Sequence, residues 1–154
     1  MGRASVWFGV GMVVAFAVTA PAVAALKVGD KAPSFATDAA IGGKPFTFEL
    51  SKALKKGPVV LYFFPAAFTP GCTIEAHEFA EASADFTRNG ATLIGLTAGN
   101  AEKIKEFSVK ECASKFPVGL ATATAIKGYD VVLPQKTGWT NRTSYVITKT
   151  GKIA

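Results

Sequence analysis

The chain has 154 residues, 49% of them hydrophobic and 18% charged, with 17 Lys and Arg against 11 Asp and Glu for a formal net charge of +6. That length suits one domain with one core and is too short for two, and a lysine excess scattered along the chain argues against a nucleic-acid-binding surface. Two cysteines, a single histidine and the lack of a CxxC pair argue against a metal centre.

Residues 1–24 read as a secretory signal peptide, with Arg3 as the positive start, an apolar run from Val6 to Val18, and Ala22-Val23-Ala24 at cleavage spacing. The run is short for a bilayer span and no second one follows. The expected product is an exported protein, periplasmic in a bacterium, with no stable membrane insertion after cleavage. An uncleaved N-terminal anchor is the second reading. Residues 25–154 are then one domain. Leu26 to Phe35 is an extended lead-in, Gly42-Gly43 a turn, and Pro45 to Leu50 alternates as a strand does. Ser51 is placed to cap a short helical turn ending near Gly57. Val59 to Phe64 is continuously apolar between Pro58 and Pro65, the pattern of a strand buried on both faces at the centre of an α/β sheet. A helix from Thr73 to Asn89 brings Ile74, Phe79 and Phe86 to one side. A strand from Thr92 to Thr97 follows, then a helix from Ala101 to about Lys115 with Ile104, Phe107 and Cys112 toward its inner face. Phe116 to Val118 reads as a short strand, Thr124 to Tyr129 as a short helix, and Thr143 to Thr148 as a strand turning at Thr150-Gly151 into a returning segment at Lys152. Strands alternating with helices imply an open α/β/α sandwich.

Cys72 stands out from this frame. It follows two prolines and a glycine and lies where a helix begins, an address at which free backbone N–H groups and the helix dipole favour a thiolate. Counting alone favours a static Cys72–Cys112 disulfide, common in exported proteins of this size. The competing reading is a reactive thiol with a resolving partner. Thr69 lies close enough before Cys72 to bond the sulfur or a polar substrate, or to serve as an ordinary helix cap. His77, the only possible base for a Cys/His hydrolase, lies about 140° around the helix from Cys72 at ~100° per residue, so a protease or acyltransferase is disfavoured and a structural role expected.

Pro65, Thr69 and Cys72 form PxxxTxxC, which matches the active-site signature of the peroxiredoxins. The stretch FFPAAFTPGCTIEAHEF is similar to the PrxQ-like, bacterioferritin-comigratory branch, and Arg142 to Ile147 resembles the family's strand bearing its active-site arginine. The resemblance covers Leu26 to Ala154 and implies a thioredoxin-like α/β/α sandwich with a central mixed sheet. It implies a thiol peroxidase that uses no cofactor and acts on hydrogen peroxide and organic hydroperoxides. In that reading Cys72 is the attacking thiol, Arg142 and Thr69 activate it and cradle the peroxide, Pro65 shields the sulfur, and Glu75, which shares a helix side with Cys72, orients Arg142. The branch's commonest resolving position is occupied by His77, and Cys112 is similar to its alternative resolving cysteine. Two cysteines on separate helices would need local unfolding to join. Expected partners are the peroxide and a thioredoxin-like reductant, with a monomer or weak homodimer. The resemblance also leads one to expect a further strand and helix beyond Ala154. The alternatives are a thioredoxin-like binding protein with a static Cys72–Cys112 bridge, and a disulfide reductase, for which Glu75 stands where the second cysteine of CxxC would be.

Overall fold

The computed structural model of the chain describes residues 25–154, and the signal-peptide reading of residues 1–24 lies outside the described residues. The lead-in runs into β1 (Ala36–Ile41), which turns at Gly42-Gly43 into β2 (Lys44–Glu49) and then α1 (Leu50–Lys56). After β3 (Val59–Phe63) come α2 (Pro70–Arg88), β4 (Thr92–Thr97), a single 3-10 turn and α3 (Ile104–Lys110). The chain continues through β5 (Val118–Leu120), α4 (Ala123–Gly128) and β6 (Thr143–Ile147). Among the described residues no helix is long and apolar enough to cross a membrane.

The strands form one mixed sheet in the order β2-β1-β5-β4-β3-β6. Strands β3, β4 and β5 are parallel, β6 runs antiparallel to β3, and β1 is antiparallel to both β2 and β5. As expected of a strand apolar on both faces, β3 and the residue after it feed two cores. Leu61 and Phe63 pack with Ile94, Leu96, Tyr129 and Ile147 on one side. Tyr62 and Phe64 pack with Cys72, Ala76, Phe107, Cys112 and Phe116 on the other. The strand is interior but one place from the sheet edge, because only β6 lies beyond it. Tyr62 lies against β4 because its partner there is Gly95, where a Cβ would stand 2.5 Å from the Tyr62 ring. The ring is then enclosed by Phe64, Phe79 and Phe116 at centroid distances of 5.3, 4.4 and 6.0 Å.

Several elements differ from the sequence reading. Strand β1 was not expected, since its alanine-rich sequence has little β propensity and draws its order from pairing on both edges. Glu49, not Ser51, is the N-cap residue of α1, and β5 begins at Val118 rather than Phe116. Helix α2 begins at Pro70, whose fixed φ and missing N–H suit a first helical position, so Cys72 lies within the first turn instead of before it. The face of α2 against the sheet is Cys72, Ala76 and Ala80, a small-residue stripe at i, i+4 spacing that permits close packing. Ile74, two positions from Cys72 and so on the far side of the helix, is 60% exposed rather than inward-facing. Helix α3 ends at Lys110, leaving Cys112 in the turn beyond it. The cause is a left-handed pair, Ala113 (φ 47) and Ser114 (φ 58), which breaks the helical run that Ile104 and Phe107 begin.

Candidate active site

The segment from β3 to α2 has its carbonyls fixed by side chains from other elements. Thr140 Oγ1 donates to the Phe64 carbonyl at 2.6 Å, Thr97 Oγ1 to that of Pro65 at 3.1 Å, and Asn100 Nδ2 to that of Ala67 at 2.8 Å. The Ala67 amide donates back to Gly99 at 3.1 Å, and Phe68 adopts φ 60, a conformation a bulky residue takes only when its surroundings impose it. None of Thr97, Asn100 and Thr140 was identified from the sequence. A threonine closing a strand and an asparagine in a turn read as ordinary propensity, and no local signal marks them as anchors.

On this support the structure brings Cys72, Glu75 and Arg142 together, with Thr69 at the start of α2 and Pro65 in the loop before it. Thr69 is the N-cap residue of α2 without a side-chain cap bond; its hydroxyl donates to the Ala66 carbonyl at 3.1 Å, so the oxygen's lone pairs are left to accept. The first amide used within α2 is that of Thr73, bonded to the Thr69 carbonyl at 2.9 Å, which leaves the N–H groups of Gly71 and Cys72 at the open end of the helix. Arg142 Nη2 donates to Cys72 Sγ at 3.4 Å, and Arg142 Nη1 donates to Glu75 Oε2. Gly71 makes room for this approach, since a Cβ on it would lie 3.3 Å from Arg142 Nη2. Burial raises the Glu75 carboxyl above the ordinary carboxylate range, and the Arg142 guanidinium opposes that rise without cancelling it. The sulfur itself is buried, at 2% residue exposure, more enclosed than a thiol in an open turn. A peroxide-sized electrophile reaching it would meet a permanent cation, two backbone donors and a hydroxyl acceptor, a set that can bear charge developing on a departing oxygen.

Cys112 shares the same core cluster yet lies in different chemistry. It is fully buried, and both burial and the neighbouring Glu111 carboxylate push its thiol well above the ordinary cysteine range. Both cysteines are free. His77 is directed away from the thiol site and meets Glu111, with Nε2 2.8 Å from Oε2. Among the described residues, no group of three or more His, Cys, Asp or Glu side chains is placed to hold a metal ion.

The sequence profile of the AhpC/TSA family matches residues 28–154. A Mycobacterium tuberculosis protein provisionally named a peroxiredoxin is 40% identical over 83 residues, which cover 53% of this chain and 50% of that protein. Peroxiredoxin Q, chloroplastic, from Oryza sativa subsp. japonica is 46% identical over 61 residues, 40% of this chain and 28% of its own length. The chain thus spans about half, or less, of the length of these curated relatives. Among solved structures, peroxidoxin BcpB from Mycobacterium tuberculosis matches with a TM-score of 0.71 at 31% identity, covering 83% of this chain and 82% of that one. Mycobacterium tuberculosis AhpC, at 18% identity and a TM-score of 0.72, shares the fold.

Proposed function

The chain belongs to the AhpC/TSA family of peroxiredoxins, and from that membership we propose that it is a thiol peroxidase reducing hydrogen peroxide and organic hydroperoxides, with Cys72 as the attacking thiol. The observation that carries the reading is Arg142 Nη2 set 3.4 Å from Cys72 Sγ at the open end of α2. In the first step the Cys72 thiolate attacks one peroxide oxygen. An S–O bond forms as the O–O bond breaks, and the departing oxygen takes up a proton and leaves as water or an alcohol. The sulfur is oxidised by two electrons to a sulfenic acid. Arg142 and the Gly71 and Cys72 amides stabilise the developing negative charge, while the Thr69 hydroxyl accepts the hydrogen bond of the incoming hydroperoxide. Glu75 holds the guanidinium in place through its second nitrogen, and Pro65 limits the water around the sulfur.

In the second step the Cys112 thiol attacks the Cys72 sulfenic sulfur. An S–S bond forms, the S–O bond breaks and water departs, which protects Cys72 from further oxidation. A thioredoxin-like dithiol then reduces the disulfide, and export of the protein through residues 1–24 would make that reductant an exported one. We place the working unit at a monomer or weak homodimer. Both thiols are free in this structure, which favours no static bridge between them. The test is peroxide consumption by the reduced protein with a dithiol reductant, together with mass spectrometry of alkylated thiols after one peroxide equivalent. Cys72→Ser is expected to abolish consumption, and Cys112→Ser to leave a sulfenic acid with no intramolecular disulfide. Parental activity in Cys72→Ser would overturn the assignment.

A further inference from the structure

Resting on the resolving role proposed for Cys112, we infer that His77 is a positioning residue that latches the Cys112 segment shut, so that its pairing with Glu111 sets how fast the disulfide can form. Both thiols are buried and free, one in the first turn of α2 and the other in the turn after α3, and we take their joining to need movement of one segment. The Cys72 side is the firmer of the two. It lies in the first turn of a 19-residue helix, behind a loop whose carbonyls are held by Thr97, Asn100 and Thr140.

The Cys112 side follows a seven-residue helix and is closed by turns: the amides of Glu111 and Cys112 both reach the Phe107 carbonyl, that of Ser114 reaches Ser108, and that of Lys115 reaches Cys112. Two consecutive left-handed residues follow the cysteine, Ala113 and Ser114. This segment is the one built to give way.

Among the described residues, one side-chain hydrogen bond ties that segment to α2: His77 Nε2 to Glu111 Oε2 at 2.8 Å. Glu111 adjoins the cysteine, and its side chain is only 16% exposed while that of His77 is 54% exposed, so the carboxylate is well shielded and the ring covers it from solvent. Lys110, the cation next to Glu111 in the chain, is bonded to Glu106 instead, at 2.6 Å. Unwinding residues 111–115 to deliver Cys112 separates Glu111 from His77. The pair therefore opposes opening, and its strength divides the Cys72 sulfenic acid between two fates. One is attack by Cys112, with loss of water. The other is reaction with a second peroxide, in which the sulfur gains an oxygen as the O–O bond breaks, giving sulfinic acid and water or an alcohol.

The experiment mixes the reduced full chain rapidly with hydrogen peroxide, quenches in acid, alkylates the thiols and follows sulfenic acid, disulfide and sulfinic acid by mass spectrometry. Parent, His77→Gln, Glu111→Gln and the double variant are compared. Sulfenic acid should form at the parental rate in all four. Disulfide should form about two- to fivefold faster in each single variant, as loss of a partly exposed pair allows, and no faster in the double. The peroxide dose that yields sulfinic acid should rise by the same factor. His77→Lys, which places a hydrogen-bond donor opposite Glu111, should stay near the parent, whereas a merely structural histidine would shift the melting temperature and leave the partition unmoved. Parental or slower disulfide formation in both single variants, or additive effects in the double, overturns the latch. Absence of any Cys72–Cys112 disulfide in the parent overturns the resolving role instead, so the two failures are distinguishable.

Discussion

The turns around Cys72 and Cys112 are buried to nearly the same degree, 2% and 0% residue exposure, and belong to one apolar cluster, yet they prepare sulfur for opposite behaviour. At Cys72 a guanidinium, the end of a helix and a hydroxyl surround the thiol. At Cys112 the wall is hydrocarbon and the nearest charge is a carboxylate, so the thiol is held neutral. Burial is common to both thiols, and what differs is the charge beside them, a guanidinium at Cys72 and a carboxylate at Cys112. The two turns also differ in backbone. The Cys72 turn is fixed by donors from three other places in the chain, whereas the Cys112 turn rests on left-handed residues and its own hydrogen bonds. In the proposed cycle the first is the turn that stays in place and the second the one that opens.

The largest way to break the contrast is to make the Cys72 pocket electrically like the other. Arg142→Gln removes the cation and leaves a side chain able to donate one hydrogen bond. We expect the second-order rate constant for sulfenic acid formation to fall about 10²- to 10³-fold, the usual cost of losing a principal donor to a developing oxyanion. Arg142→Lys should recover part of that, because it restores charge but cannot serve Cys72 and Glu75 with two nitrogens at once. Stopped-flow measurement with hydrogen peroxide decides it, and a loss under about tenfold for Arg142→Gln would show that the helix end suffices.

The second test uses the raised Cys112 thiol. When folded, this thiol keeps its proton to a higher pH than when the segment is open, so it contributes stability that is fully present below the ordinary cysteine range and lost as pH rises above it. Relative to Cys112→Ala, the parent should lose on the order of 2 kcal/mol of unfolding free energy between about pH 8 and about pH 10. Comparing the two proteins in urea across that range subtracts Tyr62, Tyr129 and Tyr145, which are also raised and titrate in the same direction. A pH-independent difference would mean that Cys112 is as accessible to solvent as any free thiol.

How much of this contrast the sequence carries follows from where the information lies. Pro65, Thr69 and Cys72 sit within eight consecutive residues, so their motif could be read directly. Arg142 is far along the chain, and only likeness to a known family attached it to the thiol; on residue type alone it was an ordinary surface arginine. Glu75 followed from sharing a helix side with Cys72. Strand β3 was legible because six apolar residues between prolines have few other uses, while β1 was not, since its alanines form a strand only through β2 and β5. The end of α3 was overrun because Ala113 and Ser114 take left-handed conformations without the glycine that normally announces them. Thr97, Asn100 and Thr140 act across the fold, and no window of sequence contains both them and the carbonyls they hold.

The smallest expected effect concerns the wall the two turns share. Tyr62 lies in the cluster that contains both cysteines, and its hydroxyl is the one buried side-chain oxygen or nitrogen without a partner among the described residues. Burial pushes the phenol well above its ordinary range, with Cys112, Glu75 and Cys72 adding in the same direction and Arg142 opposing them, so the group stays a neutral donor. An unsatisfied hydroxyl of this kind costs about 1–3 kcal/mol of desolvation, whereas the ring's packing against Phe64 and Phe79 does not depend on the oxygen. Tyr62→Phe should therefore raise the unfolding free energy of the reduced protein by about 1 kcal/mol and leave the rate of sulfenic acid formation unchanged, because the oxygen is bonded to neither thiol. Urea denaturation under reducing conditions and the stopped-flow assay measure the two halves. A loss of stability would mean that the hydroxyl has a partner in the reduced protein, and a slower first step would mean that the apolar wall, and not only Arg142 and the helix end, tunes the Cys72 sulfur.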